Sequence, residues 1–259
     1  MTTGPGRPRP IPSSEIELNK IKNMKNIQNV INDLQKFTDA KSIFLYGSRA
    51  RTDFYNESNY EIGVLMENDK YISRKDIKDK FNFRGINIFP FHYEDFIAYN
   101  PDTPFVKSIY MREVIEAGKT VVGEKIIENM KPPGIKLLDI IYDLRFNLGY
   151  SLAATHSYRE GDNINASLHL AKSCLFGTRD YIILKLKKFP VPFDEIVELS
   201  KTLDLYEYSD LPSYAFKLRK REEKIDENKL FANISYLNKF VEKELLEAYN
   251  NQGNIILIK

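Results

Sequence analysis

The stretch that most constrains this chain runs from Ile43 to Leu65 and reads IFLYGSRARTDFYNESNYEIGVL. Four apolar residues, Ile43-Phe44-Leu45-Tyr46, open it with the β-branched and aromatic types that suit a strand. Gly47-Ser48 breaks the run, a polar loop from Arg49 to Asn59 follows, and alternation resumes at Tyr60. The pattern predicts strand, tight turn, basic loop or short helix, strand. A glycine after a buried strand lets the backbone approach a ligand closely, because no Cβ intervenes. Its amide groups and the Ser48 hydroxyl then suit a phosphate. Arg49 and Arg51 stand where they add positive charge to that cradle. Glu61, on the second strand, brings a carboxylate toward the same place. A Gly-Ser pair after a strand is by itself more often a plain turn.

The whole stretch resembles the nucleotidyltransferase superfamily, in particular its small members related to kanamycin nucleotidyltransferase and the MNT antitoxins. The resemblance rests on Gly47-Ser48-Arg49-Ala50-Arg51 after a strand, and on a loop to Ser58 of the family's length. It extends through FVKSIYMREVIEAGKTVVGE, which resembles the family's helix and short closing strand, so that it spans roughly residues 25–125. It implies an α+β fold, with a mixed sheet flanked by helices and an all-helical bundle after it. It also implies an NTP substrate, a hydroxyl acceptor, and Mg²⁺ or Mn²⁺ held by three acidic side chains. Two of those three positions are amides here. Asn59 and Glu61 stand where the family carries two aspartates, and Asn87, in Gly85-Ile86-Asn87-Ile88-Phe89, stands for the third. The resemblance therefore assigns Gly47, Ser48, Arg49 and Arg51 to the nucleotide, and Glu61, Asn59 and Asn87 to catalysis and metal. A hard cation wants anionic oxygen, and an amide cannot act as a base.

Composition bounds the rest. The 259 residues suffice for one or two domains with a real core, and 42% hydrophobic with 29% charged is ordinary for a globular chain. A net charge of +2 is too small to argue for nucleic acid. One cysteine, Cys174, excludes a disulfide framework and fits a reducing, cytoplasmic setting. It sits in an apolar helical pattern and reads as a core thiol. No run is long and apolar enough to suggest a membrane span, and the opening residues lack the pattern of a signal peptide.

Taken in order, Met1–Ser14 reads as a disordered tail rich in Gly, Pro, Thr and Ser. Ser14 and Glu17 make a capping box for an amphipathic helix from Glu15 to about Phe37. Strands are expected at Ile43–Tyr46, Tyr60–Met66, Ile86–Phe91 and Lys119–Gly123, the third ended by Pro90. The charged run Asn68–Lys80 reads as a solvated helix or loop, and Pro104–Glu116 as a helix stopped by Gly118. Lys131-Pro132-Pro133-Gly134 is a linker that divides the chain at 15–130 and 135–259. Beyond it, helices are expected at Ile135–Tyr158, Asn165–Lys188, Asp194–Leu203, Tyr214–Glu222 and Asn228–Tyr249, with an apolar tail at Ile255–Ile258. This half resembles a HEPN-type or kanamycin-nucleotidyltransferase-type bundle. No arginine carries a histidine at the spacing of HEPN ribonucleases, so ribonuclease activity is not expected. Lys172, Arg179, Arg145 and Arg159 are candidates to reach a cleft between the halves. His92, His156 and His169 read first as structural.

Two functions stay open at this level. One is metal-dependent transfer of a nucleotidyl group from an NTP to a hydroxyl on a small molecule, protein or RNA end, impaired by the two amides. The other is a catalytically inactive nucleotide-binding or regulatory scaffold with the same fold. Either admits a homodimer and neither calls for a membrane.

Overall fold

The computed structural model describes residues 27–51, 53–54 and 58–259. The tail at 1–14, the Ser14/Glu17 capping box and the first half of the leading helix lie outside the described residues. What is described of that helix, α1, covers 27–38. Then come β1 (Ser42–Tyr46), α2 (Ser48–Arg51), β2 (Tyr60–Met66), α3 (Arg74–Lys80), β3 (Ile86–His92), α4 (Tyr93–Ile97), α5 (Lys107–Ala117), β4 (Lys119–Gly123) and α6 (Ile126–Asn129).

The four strands form one mixed sheet in the order β3-β2-β1-β4. β1 runs antiparallel to β2 and β4, and β2 runs parallel to β3. Side chains alternate between faces with period two. Ile43, Ile62, Val64 and Met66 share one face and pack with Ile31, Leu34 and Ile77 of α1 and α3. Phe44, Tyr46, Leu65 and Phe91 share the other and pack with Phe96, Met111 and Val114 of α4 and α5. The same alternation puts Glu61 on the α5 face, two residues before Gly63 and four before Leu65.

Two local expectations are corrected here and a third, the solvated helix or loop over the charged run, is refined. Pro90 does not end β3: the strand runs on to His92, with Pro90 opposite Val64. β3 lies at the sheet edge, where a residue without an N–H costs no ladder bond. The charged run is split, with a 3₁₀ turn at Asn68–Lys70 and then α3, whose Ser73 hydroxyl accepts from the Asp76 N–H. Gly118 follows α5 in an extended conformation, φ −68°, so it is no left-handed stop. Space explains the glycine instead, since a Cβ there would lie 2.4 Å from the Val114 carbonyl oxygen.

The second half is helical. β5 (Ile135–Lys136) leads into α7 (Leu137–Arg159), α8 (Asn163–Leu186), α9 (Phe193–Ser200), α10 (Leu211–Arg219), α11 (Glu227–Ser235) and α12 (Glu242–Gln252), and the chain closes with β6 (Ile256–Ile258). Ile135 and Lys136 thus begin no helix; they pair antiparallel with Ile258 and Ile256 of the apolar tail. The Asp139 carboxylate accepts from the Lys136 N–H at 2.8 Å and starts α7. Asp162 caps α8 by accepting from the Asn165 N–H at 3.1 Å. The expected long terminal helix is one helical run with a π-helical segment at Tyr236–Val241 between α11 and α12. That segment carries the fully buried Tyr236, whose hydroxyl lies 3.2 Å from the Thr178 hydroxyl of α8. The helical core includes Leu144, Cys174, Ile182, Leu237 and Leu245, and it takes in Ile109 of α5, which joins the two halves. No helix among the described residues is long and apolar enough to cross a membrane. The chain is α+β: a mixed sheet flanked by helices, then a helical region.

Candidate functional site

β1 ends at Tyr46, and Gly47 turns the chain with φ +69° into α2. In register, Tyr46 lies opposite Glu61, and Glu61 lies beside Asn87 on the parallel neighbour β3. Asn59 stands two residues before Glu61. Sheet register therefore brings Gly47, Ser48, Asn59, Glu61 and Asn87 to one end of one face, although 40 residues separate the first from the last. The Glu61 carboxylate folds over the turn: a Cβ built on Gly47 would meet Glu61 Oε2 at 1.6 Å. Two requirements thus fall on residue 47, a positive φ and an empty space where a side chain would start.

All five line a cavity of about 400 Å³ between the sheet and the helical region. Arg51 lines it too. Arg49 does not: its Nε donates to the Ser58 carbonyl at 3.0 Å, and its guanidinium stacks on Phe54 and Tyr60 at 4.3 and 4.7 Å. Arg49 thus pins the loop rather than facing the cavity.

Arg51 is not a simple phosphate arm either. Buried, it donates through Nε to Asp53 at 3.2 Å and through Nη1 to Glu113 of α5. Glu113 also accepts from Arg179 Nη1 at 2.8 Å, and Arg179 Nη2 lies 3.4 Å from Asp143 Oδ2. The Asn147 amide donates to that same oxygen at 3.1 Å. A buried chain of charge, Arg51–Glu113–Arg179–Asp143, therefore crosses from the sheet to α7 and α8. Asp53 ties the same loop to α9, accepting from the Phe193 N–H at 3.0 Å. The Phe193 ring is faced by two guanidiniums, Arg219 at 4.5 Å and Arg51 at 5.0 Å.

Burial sets the electrostatics. It would raise Glu113, but Arg51 and Arg179 together hold its carboxyl below the usual range. Glu61 moves the other way, raised by burial and then by Glu113, against the pull of Lys172, Arg51 and Arg219. Burial lowers the Lys172 ammonium, while Glu61 holds it up. Asp180, wholly buried beside the Asp143 carboxyl, is pushed well up by burial and by that neighbour. Tyr46 and Tyr110 share a 3.3 Å hydroxyl contact at the cavity wall, and burial raises both.

Of the cations weighed from sequence, Lys172 and Arg179 line the cavity. Arg145 pairs instead with Glu242 at 2.9 Å on the surface, and Arg159 is exposed at the end of α7. His169 lines the cavity, His156 does not, and His92 stacks on Tyr71 at 3.6 Å. Cys174 is buried, with its thiol pushed up to about 12 by burial. Glu113, Asp143, Arg219 and Phe193 went unread in the sequence. Each comes from a different helix with no local motif, and their common signal is a charged or aromatic residue within an otherwise apolar helical pattern.

The resemblance implies a divalent cation, and the donor set can be tested against it. At the end of β2 and β3 stand one carboxylate, Glu61, and two amides, Asn59 and Asn87. The described residues contain no group of three His, Cys, Asp or Glu side chains able to hold a metal ion. These residues do not fit a centre built on three acidic ligands.

No family model matches the chain. No curated protein matches it. Among solved structures, it is similar to the crystal structure of spectinomycin adenyltransferase AAD(9) from Enterococcus faecialis with ATP and spectinomycin. The two share 14% identity with a TM-score of 0.54, over 87% of this chain and 99% of that one. At that identity the likeness is one of fold: a nucleotidyltransferase-like sheet followed by helices, as the sequence resemblance implies.

Proposed function

We propose that this chain is a nucleoside triphosphate-binding protein built on a nucleotidyltransferase-like fold, with its transfer chemistry impaired. One observation carries the reading. The Gly47–Ser48 turn, Glu61 and the cations Arg51, Lys172 and Arg219 all open onto one cavity between sheet and helices. The phosphates lie against the turn at Gly47 and Ser48, facing Lys172 and Arg219. Residues 15–130 form the nucleotide-holding unit, 135–259 the unit that faces the second ligand, and 131–134 joins them. A cavity of about 400 Å³ suits small-molecule ligands rather than a macromolecular surface. Asn147, Asn165 and His169 give its helical side polar groups for a hydroxyl-bearing second ligand.

The amides at Asn59 and Asn87 favour binding over transfer, since neither takes a proton from an attacking hydroxyl. Nucleotidyl transfer is the second reading. It is supported by the carboxylates Glu61, Glu113 and Asp143 on the cavity wall, and by the ATP and spectinomycin in the similar adenyltransferase.

Calorimetric titration with ATP, GTP, CTP and UTP tests the first reading, with saturable micromolar-range binding of at least one of them expected. No binding of any of the four rejects it. Transfer is tested with α-labelled ATP, Mn²⁺ and a panel of hydroxyl acceptors. Wild type should give little product, and Asn59→Asp with Asn87→Asp should raise turnover about tenfold or more, each factor of ten being 1.4 kcal/mol of barrier. Strong wild-type turnover would overturn the impairment.

A further inference from the structure

The charges around the cavity do not match a site that waits for a metal ion. A two-ion site concentrates anionic side chains to hold its cations, and the ions then neutralise the phosphates. Here the described lining holds four permanent or near-permanent cations, Arg51, Lys172, Arg179 and Arg219, against three carboxylates, Glu61, Glu113 and Asp143. Cations thus outnumber carboxylates by one among the described lining residues, with Asp53 paired to Arg51 behind them. Where the resemblance places acidic metal ligands, Asn59 and Asn87 are neutral.

The four cations differ in what already engages them. Arg51 and Arg179 share Glu113, with Asp53 and Asp143 at their other ends. Arg219 lies over the Phe193 ring. Lys172 sits on α8 at the cavity wall and makes no ion pair with a described residue; its ammonium lies over the face of Tyr150, 5.7 Å from the ring centroid. A partly buried ammonium facing a cavity, with no carboxylate in contact, gains most when an anion enters. It lines the same cavity as the Gly47–Ser48 turn and is close enough to Glu61 to feel its charge.

Resting on the nucleotide reading above, we propose that the triphosphate is bound here without a divalent cation. Fixed side-chain cations from the helical region, Lys172 foremost, supply the positive charge that a metal supplies elsewhere. The ligand is a free, uncomplexed nucleoside triphosphate. In cells, where such nucleotides are largely metal-bound, the protein strips or excludes the ion on binding.

Titration calorimetry of the full chain with ATP, in EDTA and separately with excess Mg²⁺, tests this directly. The expected result is binding in EDTA at least as tight as with Mg²⁺. Lys172→Ala should weaken the EDTA affinity by about tenfold, as loss of one charge-assisted contact requires, and Lys172→Arg should largely retain it. Thermal unfolding of both variants verifies that they fold. Asn59→Asp with Asn87→Asp should reverse the preference, weakening binding in EDTA and making it Mg²⁺-dependent. Binding that appears only with Mg²⁺, or an unchanged affinity in folded Lys172→Ala, overturns the proposal and leaves the nucleotide reading standing. Absence of binding under both conditions overturns the two together.

Discussion

Asp180 is the residue whose chemistry departs furthest from what its type suggests. It is wholly buried on α8 beside the Asp143 carboxyl, and the neighbouring Arg179 spends its guanidinium on Glu113 and Asp143. An uncompensated carboxylate in such a place is costly, and the group responds by keeping its proton. Burial is the larger cause and the Asp143 carboxyl the second. The sign of the pH dependence follows. An acid whose folded pKa lies above its unfolded value contributes stability that is fully present below the unfolded value and is lost as pH rises toward the folded one. Wild type should therefore lose stability as pH rises from about 4, the unfolded aspartate value, toward neutrality. Asp180→Asn keeps the shape and removes the titration. Its melting temperature should match wild type at about pH 4 and exceed it near neutral pH, by roughly 2–4 °C for each kcal/mol recovered. Parallel curves across that range would mean that Asp180 is ionised in the fold. Nothing in the sequence around position 180 announced this. Gly47 and Glu61 could be picked out from a turn and a strand pattern, and Asn87 through the family resemblance. A buried acid on a helix is visible only once its neighbours are known.

At the level of elements, what could be read was periodicity, and what could not was how one element bends to fit another. The strands at 42–46, 60–66 and 119–123 and the helices α5, α7 and α8 stand close to where alternation and helical spacing placed them. The π-helical segment at Tyr236–Val241 was not legible. It arises from packing against α8, where Gly177 lets Leu237 and Leu144 come close. A Cβ on Gly177 would sit 2.2 Å from Leu237 Cδ2, and Leu237 is fully buried and has nowhere to swing. Gly149, on the exposed face of α7, would meet nothing within 4 Å. The two glycines make a controlled pair. Alanine improves helix propensity at both by about 0.5–1 kcal/mol, but overpacking at the buried one costs about 1–3 kcal/mol. Gly149→Ala should stabilise and Gly177→Ala should destabilise, as read from urea unfolding midpoints at constant slope. A gain at both positions would show that the α8–π-segment contact yields easily.

For the molecule as a whole, the question is whether the sheet-bearing half and the helical half stand or fall together. Composition and the Lys131–Gly134 stretch divide them in the sequence, yet Ile109 of α5 belongs to the helical core and Glu113, one turn on, carries an arginine from each side. Removing Glu113 takes away the carboxylate between Arg51 and Arg179 and leaves two buried like charges facing each other, each with one remaining partner, Asp53 and Asp143. Loss of one partner from a buried pair costs about 3–5 kcal/mol, more than the pair itself contributes over an apolar substitute. Glu113→Ala should therefore lower stability by about 3 kcal/mol, or roughly 6–12 °C in melting temperature, as a single transition in calorimetry. Two separated transitions would mean that the halves fold independently and the charged chain is incidental. A simple packing loss is told apart by pH. The Glu113 carboxyl sits below its ordinary value because Arg51 and Arg179 outweigh burial. Its contribution is thus present above the unfolded pKa and is lost as pH falls through the folded one. The gap between wild type and Glu113→Ala should close in acid, below about pH 4. A cavity left by missing methylenes would instead hold the gap constant, so the slope of that difference against pH reports whether charge joins the two halves.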